Sequence, residues 1–157
     1  MKKIIVGADR SGRPLKDAVV EHLKSIGYDV KDVGMVSEEN FKAYYDVAPI
    51  LAEAISKGEY EKGLLFCGTG AGMNIIANKY KGVYAVVSEC SYTARMSSII
   101  NSANVLTMGG WVVASEQACD MVDRWLNTKF LETFEHKSEF LCGALDKVKG
   151  IEEENFK

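Results

Sequence analysis

Apolar and polar positions follow two different periods along the chain, and these periods predict strands and helices in turn. Short apolar runs cover residues 4–8, 64–66, 83–87 and 105–108, and an alternating run covers 28–33. Apolar residues at helical spacing fill 15–26, 47–55, 91–101 and 115–126, with a short helical segment at 73–79. Continuous apolar runs are typical of strands buried on both faces, and alternation is typical of a strand near a sheet edge. The order predicts an α/β fold, a doubly wound (Rossmann-like) three-layer sandwich around a five-stranded parallel sheet.

The end of the chain changes character. A last helix is predicted over residues 135–149, and the charged residues 152–157 after it are expected to be frayed. A chain of 157 residues is long enough for one domain with a full core. We therefore predict a single domain over residues 1–150 and a charged tail over 151–157.

Charge and composition exclude several kinds of partner. The formal net charge of -3 gives no electrostatic reason to expect nucleic acid or an anionic membrane surface. No apolar run approaches the ~20 residues that a membrane-spanning helix needs. The apolar run at the start of the chain is too short for a signal peptide. We therefore expect a cytoplasmic protein without nucleic-acid or membrane partners.

Cys67 ends one of the buried runs and is followed by glycines at positions 68, 70 and 72. Glycines let the backbone turn sharply and let a ligand approach the main chain. Main-chain N–H groups at the start of the next helix favour a negatively charged oxygen. A cysteine that closes a buried strand is, however, most often a packing residue.

The spacing of glycines and cysteines argues against two other kinds of site. The three glycines follow the third strand and lack the GxGxxG spacing of dinucleotide sites, and no GxxxxGK[ST] phosphate loop is present. The four cysteines (Cys67, Cys90, Cys119 and Cys142) are widely separated, so no metal site is expected.

A set of motifs in a fixed order carries a resemblance to a known family. The motifs are Ile5-Val6-Gly7-Ala8-Asp9 with Gly12, the pair Tyr44 and Asp46, Cys67-Gly68-Thr69-Gly70-Ala71-Gly72-Met73, Ala77-Asn78-Lys79, Ala94-Arg95-Met96-Ser97, Asn101-x-Ala103-Asn104-Val105-Leu106 and Trp125-Leu126-Asn127-Thr128. Together they resemble ribose-5-phosphate isomerase type B and galactose-6-phosphate isomerase. The match runs from about residue 3 to about residue 145 and is far more specific than any single motif.

The resemblance implies an aldose–ketose isomerase that works through a cis-enediolate, without a metal or organic cofactor. Cys67 matches the family's proton-transferring base, Thr69 and the glycine loop would hold the enediolate, and Asp9 would contact substrate hydroxyls or move protons between oxygens. The remaining substrate-binding candidates are Arg10, Tyr44, Gly68, Gly70, Ala71, Gly72, Asn101, Trp111, His136 and Lys137. The substrate would be a sugar or sugar phosphate. The protein would be a homodimer or a dimer-based tetramer, with the last helix packing across and a hetero-oligomer also possible.

The chain departs from the family pattern at positions that concern ring opening and phosphate binding. The family has histidines at the positions of Arg10 and Ile100, and a histidine–aspartate pair at Glu89 and Cys90. It has an arginine where this chain has Trp111. Two further arginines around His136 are also missing from residues 134–139. Because an arginine contact to phosphate contributes roughly 1.5–3 kcal/mol, losing three would weaken phosphate binding by orders of magnitude unless Arg10, Arg13 or Lys137 compensates.

Three interpretations follow from these departures. The chain is an active isomerase on an altered substrate, such as an unphosphorylated or a shorter sugar. A four-carbon sugar phosphate cannot close a five-membered ring and would not need the histidine replaced by Ile100. Alternatively, the chain is one subunit of a hetero-oligomeric isomerase, or a non-catalytic sugar-binding relative. The retained Cys67, Thr69 and Asp9 argue against the last alternative, since a binder needs no carbon-acid base.

Overall fold

A parallel five-stranded sheet forms the centre of the computed structural model, which describes residues 2–156. The strands are β1 (Lys2–Ala8), β2 (Tyr28–Asp32), β3 (Gly63–Cys67), β4 (Ala85–Val87) and β5 (Val105–Gly109). Their order across the sheet is β2-β1-β3-β5-β4, and every neighbouring pair is parallel. The predicted fold class is confirmed, including the number and direction of the strands.

Helices cover both faces of the sheet. They are α1 (Arg13–Ser25), α2 (Tyr44–Ser56), α3 (Ala71–Ala77), α4 (Ser91–Asn101), α5 (Ser115–Asn127) and α6 (Ser138–Asn155), with a 3-10 turn at Glu135–Lys137. Successive residues of a strand point to opposite faces. Ile4 and Val6 therefore join a core cluster with α1 and α5, while Ile5 joins a second cluster with α2 and α3. The two clusters fill the two interfaces between the sheet and its helices, which gives the three predicted layers.

The strands differ in burial as their sequence patterns predict. All five residues of β3 and of β5 are buried, because these strands lie inside the sheet with helices on both faces. In β2, half-buried and exposed residues alternate. This strand lies at one edge of the sheet, as its alternating sequence indicated.

The end of the chain differs from the prediction. The helix expected over 135–149 begins as a 3-10 turn and continues as α6 through Asn155, so residues 152–155 are helical and not frayed. Glu152 supplies the physical reason, because its carboxylate accepts hydrogen bonds from the Gly82 amide and the Tyr84 hydroxyl. These contacts fasten the end of α6 beside β4. Lys157 lies outside the described residues.

Within residues 2–156, no helix has both the length and the apolar content needed to cross a bilayer.

Candidate active site

Asp9 and Cys67 stand side by side at the carboxyl edge of the sheet. Asp9 directly follows β1 and Cys67 ends β3, and these two strands are neighbours. The Asp9 amide donates a hydrogen bond of 3.2 Å to the carbonyl of Phe66. The chain leaves β1 toward β2 on one side and later returns to β3 on the other, so this is the switch point of the sheet. Ligand sites of open α/β sheets form at such a crevice.

The thiol of Cys67 is held in a defined position. Cys67 is only 5% exposed, and the amide of Gly70 donates a hydrogen bond to its Sγ at 3.2 Å. Gly70 has a φ of 82°, a left-handed conformation that glycine adopts without strain. A hydrogen bond from an N–H group stabilises negative charge on the sulfur. The turn after β3 therefore fixes the sulfur of Cys67 at the carboxyl end of the strand.

The glycine loop is fixed by the neighbouring strand end. Gly110 and Trp111 donate main-chain hydrogen bonds of 2.8 and 3.0 Å to the carbonyls of Cys67 and Gly68. The hydroxyl of Thr69, an exposed residue, accepts a bond of 3.4 Å from the amide of Ala71. Donors fixed in advance are what a developing oxyanion requires, because nothing has to reorganise during the reaction.

Asp9 is tied into the same loop system. Its Oδ1 accepts a hydrogen bond of 2.9 Å from the amide of Gly12. Burial raises the pKa of the Asp9 carboxyl above its ordinary value, while the amides of Gly12 and Ser11 act in the opposite direction. A carboxyl shifted upward can hold and release a proton more readily near neutral pH, which suits proton transfer between oxygens.

Two aromatic rings flank the glycine loop. A Cβ atom on Gly68 would lie 2.7 Å from the ring of Trp111, and one on Gly72 would lie 3.0 Å from the ring of Tyr44. Trp111 is 75% exposed and Tyr44 is 39% exposed, so both rings present surface to a ligand. The sequence-predicted contacts Tyr44, Gly68, Gly72 and Trp111 therefore lie together with Cys67.

Arg10 has partners that the sequence did not predict. Its guanidinium forms an ion pair of 2.7 Å with Glu38 and lies 5.4 Å from the centre of the Phe41 ring. Arg13 also faces Glu38, at 3.6 Å, and pairs with Asp17 at 3.4 Å. Both arginines are thus partly neutralised within the chain. Glu38 and Phe41 lie in a segment without periodicity, so no sequence signal indicated them.

Lys16 is a second residue that sequence reasoning missed. It is 1% exposed, and its Nζ contacts Asp32 at 2.5 Å and the Met35 carbonyl at 3.2 Å. It joins α1 to the segment between β2 and α2 that carries Glu38 and Phe41. A lysine beside the buried positions Leu15 and Val19 of α1 was the available signal.

Asn101 lies away from Cys67 within one chain, and the contacts of His136 and Lys137 are with Phe134. Asn101 ends α4 shortly before β5 begins, at the opposite edge of the sheet, and faces a groove beside α6. The five residues of β3 span four residue steps between the two edges, or about 13 Å at ~3.3 Å per step. The rings of His136 and Phe134 lie 5.7 Å apart, and Lys137 Nζ is 5.5 Å from the centre of the Phe134 ring.

Comparison with known proteins identifies this arrangement. The family model described as Ribose/Galactose Isomerase matches residues 4–140. The chain belongs to the ribose/galactose isomerase family. Membership covers both Asp9 and Cys67 with the glycine loop, so the resemblance stated from the motifs is confirmed.

Individual relatives agree with this family. The chain is 45% identical over 152 residues to 4-deoxy-4-sulfo-D-erythrose isomerase of Clostridium sp. strain MSTE9, covering 96% of each chain. It is 42% identical over 130 residues to ribose-5-phosphate isomerase B of Escherichia coli, covering 83% of this chain and 87% of the other. The structure of ribose-5-phosphate isomerase B from Clostridium thermocellum superposes with a TM-score of 0.88 at 38% identity, covering 97% and 98% of the two chains.

The predicted enzyme class is therefore confirmed. Like the isomerases of this family, the chain is an enzyme that interconverts aldoses and ketoses. The roles assigned to individual residues, and the meaning of the departures from the family pattern, stay predictions.

Proposed function

We propose that this protein isomerises a four-carbon aldose that carries an anionic group on C4, and that a sulfonate is the favoured group. The observation that carries the proposal is the thiol of Cys67, hydrogen-bonded by the Gly70 amide and placed next to Asp9. This centre supports proton transfer at a carbon beside a carbonyl. The choice of sugar rests on the relatives and on the charges around the centre.

In the proposed mechanism Cys67 is the base. Its thiolate takes the proton from the carbon next to the aldehyde, and an enediolate forms. The thiol then returns the proton to the neighbouring carbon, which yields the ketose. The Thr69 hydroxyl and the main-chain N–H groups of the glycine loop stabilise the negative oxygen between these steps. Asp9 moves a proton between the two substrate oxygens.

Ring chemistry favours a substrate with four carbons. A four-carbon aldose whose C4 carries a sulfonate or a phosphate ester has no free C4 hydroxyl, so it cannot close a five-membered ring. Such a sugar needs no ring-opening acid, and Ile100 cannot supply one. The relative that matches 96% of this chain acts, by its name, on 4-deoxy-4-sulfo-D-erythrose.

The cations near Asp9 favour a singly charged group on C4 of the substrate. A phosphate ester carries about -1.5 to -2 at neutral pH, whereas a sulfonate carries a single charge. Arg10 and Arg13 share Glu38, so the cationic charge beside Asp9 is reduced. A singly charged group needs less compensation than phosphate does. The exposed indole of Trp111 adds a flat apolar surface and one donor.

We further propose that the working unit is a dimer, or a tetramer built from dimers. Asn101, His136 and Lys137 would then reach the Cys67 centre of a second copy, since within one chain Asn101 lies at the other edge of the sheet. Of the residues of α6 only Leu141 is buried in the chain, while Phe140 is 74% and Ile151 is 60% exposed. The four cysteines are free thiols, which favours a reducing compartment such as the cytoplasm.

The test is an isomerisation assay in D2O on 4-deoxy-4-sulfo-D-erythrose, erythrose 4-phosphate and ribose 5-phosphate, with exchange at C2 followed by NMR. We expect the highest kcat/KM for the sulfonate and the lowest for ribose 5-phosphate. Cys67→Ala should reduce exchange by roughly 10²–10⁴-fold, the usual contribution of a positioned base. Cys119→Ala, on α5, is the matched control and should retain activity.

Two results would overturn this proposal. Ribose 5-phosphate turning over faster than both four-carbon sugars would refute the substrate. Unchanged C2 exchange in Cys67→Ala would refute the cysteine base.

A further inference from the structure

A cavity lies at the amino edge of the sheet, away from Cys67. Its volume is about 490 Å³, within the range of small-molecule sites. It is formed by the start of β1, the start of β2 and the segment that leads into β3. Lys62, the residue before β3, lines it and also lines an adjoining cavity of about 330 Å³. The isomerase mechanism makes no use of this amine.

The amine of Lys62 lies over the ring of Trp125, the largest fully buried side chain of the core. Its Nζ lies 4.3 Å from the centre of the Trp125 ring and donates a hydrogen bond of 3.1 Å to the Trp125 carbonyl. Trp125 is 0% exposed, so its ring gives the amine a rigid apolar floor. The same carbonyl also accepts a bond of 3.0 Å from the Ser98 hydroxyl. It therefore keeps a partner when the amine is consumed by a reaction.

Charged groups around the two cavities favour an anion. Cations are contributed by Lys2 and Lys3 from β1 and by Lys129 from the segment after α5, and carboxylates by Glu59 and Glu61. The phenols of Tyr28 and Tyr60 add hydroxyl groups. In the first cavity Lys2 and Lys3 balance Glu59 and Glu61, so Lys62 supplies the excess positive charge there, and Lys129 adds a further ammonium group in the adjoining cavity.

The protonation of Lys62 differs from that of an ordinary surface lysine. Burial lowers the pKa of Lys62 to about 8, with Lys2 acting in the same direction and Glu61 against it. A lysine that is desolvated beside another cation is the usual form of an amine that reacts with carbonyl compounds. Compared with a lysine at 10.5, the neutral fraction at pH 7 is about 300-fold larger.

We propose that Lys62 is a covalent modification site for small aldehydes that carry an anionic group. The amine lone pair adds to the carbonyl carbon and gives a carbinolamine. The carbinolamine loses water, with one proton from nitrogen leaving in that water, and an imine forms. Lys2 and Lys3, which line the same cavity as Lys62, hold the anionic group while the bond forms. The site lies at the opposite edge of the sheet from the proposed isomerase centre, so the proposal does not depend on the proposed function.

Pyridoxal 5′-phosphate is the probe, and borohydride then reduces the imine to a stable secondary amine. Peptide mass spectrometry should find Lys62 labelled first. The labelling rate should rise with pH with a midpoint near 8. Lys57 is the internal comparison, because its hydrogen bond to Glu53 raises its pKa above the ordinary value and its amine should react slowly.

Two variants and a second aldehyde make the test decisive. Lys62→Arg keeps a cation over Trp125 and should lose the adduct. Lys2→Gln keeps Lys62 but removes a repelling charge, so the midpoint should move to higher pH and labelling should slow. Pyridoxal, which lacks the phosphate, should label Lys62 at least several-fold more slowly. Labelling spread over exposed lysines with Lys62 unmodified, or a midpoint near 10, would overturn the proposal, as would equal rates for the two aldehydes.

Discussion

Replacing Gly12 by alanine should move Asp9, at the end of β1, away from Cys67, at the end of β3. Gly12 has a φ of -88° and a ψ of -15°, which alanine adopts without backbone strain. The added Cβ would nevertheless lie 2.3 Å from the carbonyl carbon and oxygen of Phe66 and 2.6 Å from the Cys67 nitrogen. All three are main-chain atoms, so no side chain can rotate away. The effect of this substitution is therefore purely one of distance.

The magnitude follows from those contacts. Real Cβ atoms essentially never approach closer than 3.0 Å, so the loop after β1 must move from 2.3 Å by about 0.7 Å. Asp9 moves with the loop, because its Oδ1 accepts the Gly12 amide. A misplacement of ~1 Å costs about 10²-fold in rate. Overpacking costs about 1–3 kcal/mol, which lowers Tm by roughly 2–12 °C in a domain of this size.

The assay compares kcat/KM for C2 exchange on 4-deoxy-4-sulfo-D-erythrose with Tm from circular dichroism. Gly27→Ala is the matched control, because Gly27 has a φ of 89° and no atom within 4 Å of an added Cβ. A left-handed alanine costs about 1–2 kcal/mol, so this variant should lose stability and keep its activity. If Gly12→Ala loses Tm but keeps kcat/KM within twofold of the unsubstituted protein, the contact between the two strand ends does not position the centre.

Two further substitutions test charges in the same region. Asp9→Asn should lower C2 exchange sharply while keeping an oxygen for the Gly12 amide. Burial raises the pKa of Asp9 in the folded state, so its carboxyl lowers the stability of the protein as the pH rises through that pKa. At pH 7 the Asp9→Asn variant should therefore have an equal or higher Tm than the unsubstituted protein. This difference should vanish below about pH 4, where the carboxyl is protonated in both the folded and the unfolded state. A Tm deficit that is largest at neutral pH would contradict this sign. Lys16→Met should lower the free energy of unfolding by about 3 kcal/mol, since it leaves Asp32 and the Met35 carbonyl without their buried cation. A loss below 0.5 kcal/mol in urea titrations would show that the segment between β2 and α2 does not depend on this lysine.

The local features of the site were readable from the sequence. A continuous apolar run predicts a buried strand, and glycines after Cys67 predict a tight turn into a helix, because both depend on neighbours along the chain. The structure confirms β3 and the turn at Gly70, whose φ of 82° favours glycine. The prediction for the end of α6 was wrong because that end depends on contacts with distant parts of the chain. Its last turn is held by Glu152, whose partners Gly82 and Tyr84 lie about 70 residues earlier in the chain.

By itself, therefore, the sequence determined the strands, the helices and the family, since periodicity and motif order are properties of the chain read in one dimension. Tertiary structure decided which strand ends meet. The pairing of β1 with β3 brings Asp9 beside Cys67, and packing places the ring of Trp111 on Gly68. It also gave Arg10 a carboxylate partner and set Asn101 at the far edge of the sheet. These outcomes depend on contacts between residues far apart in the chain, which no local pattern encodes.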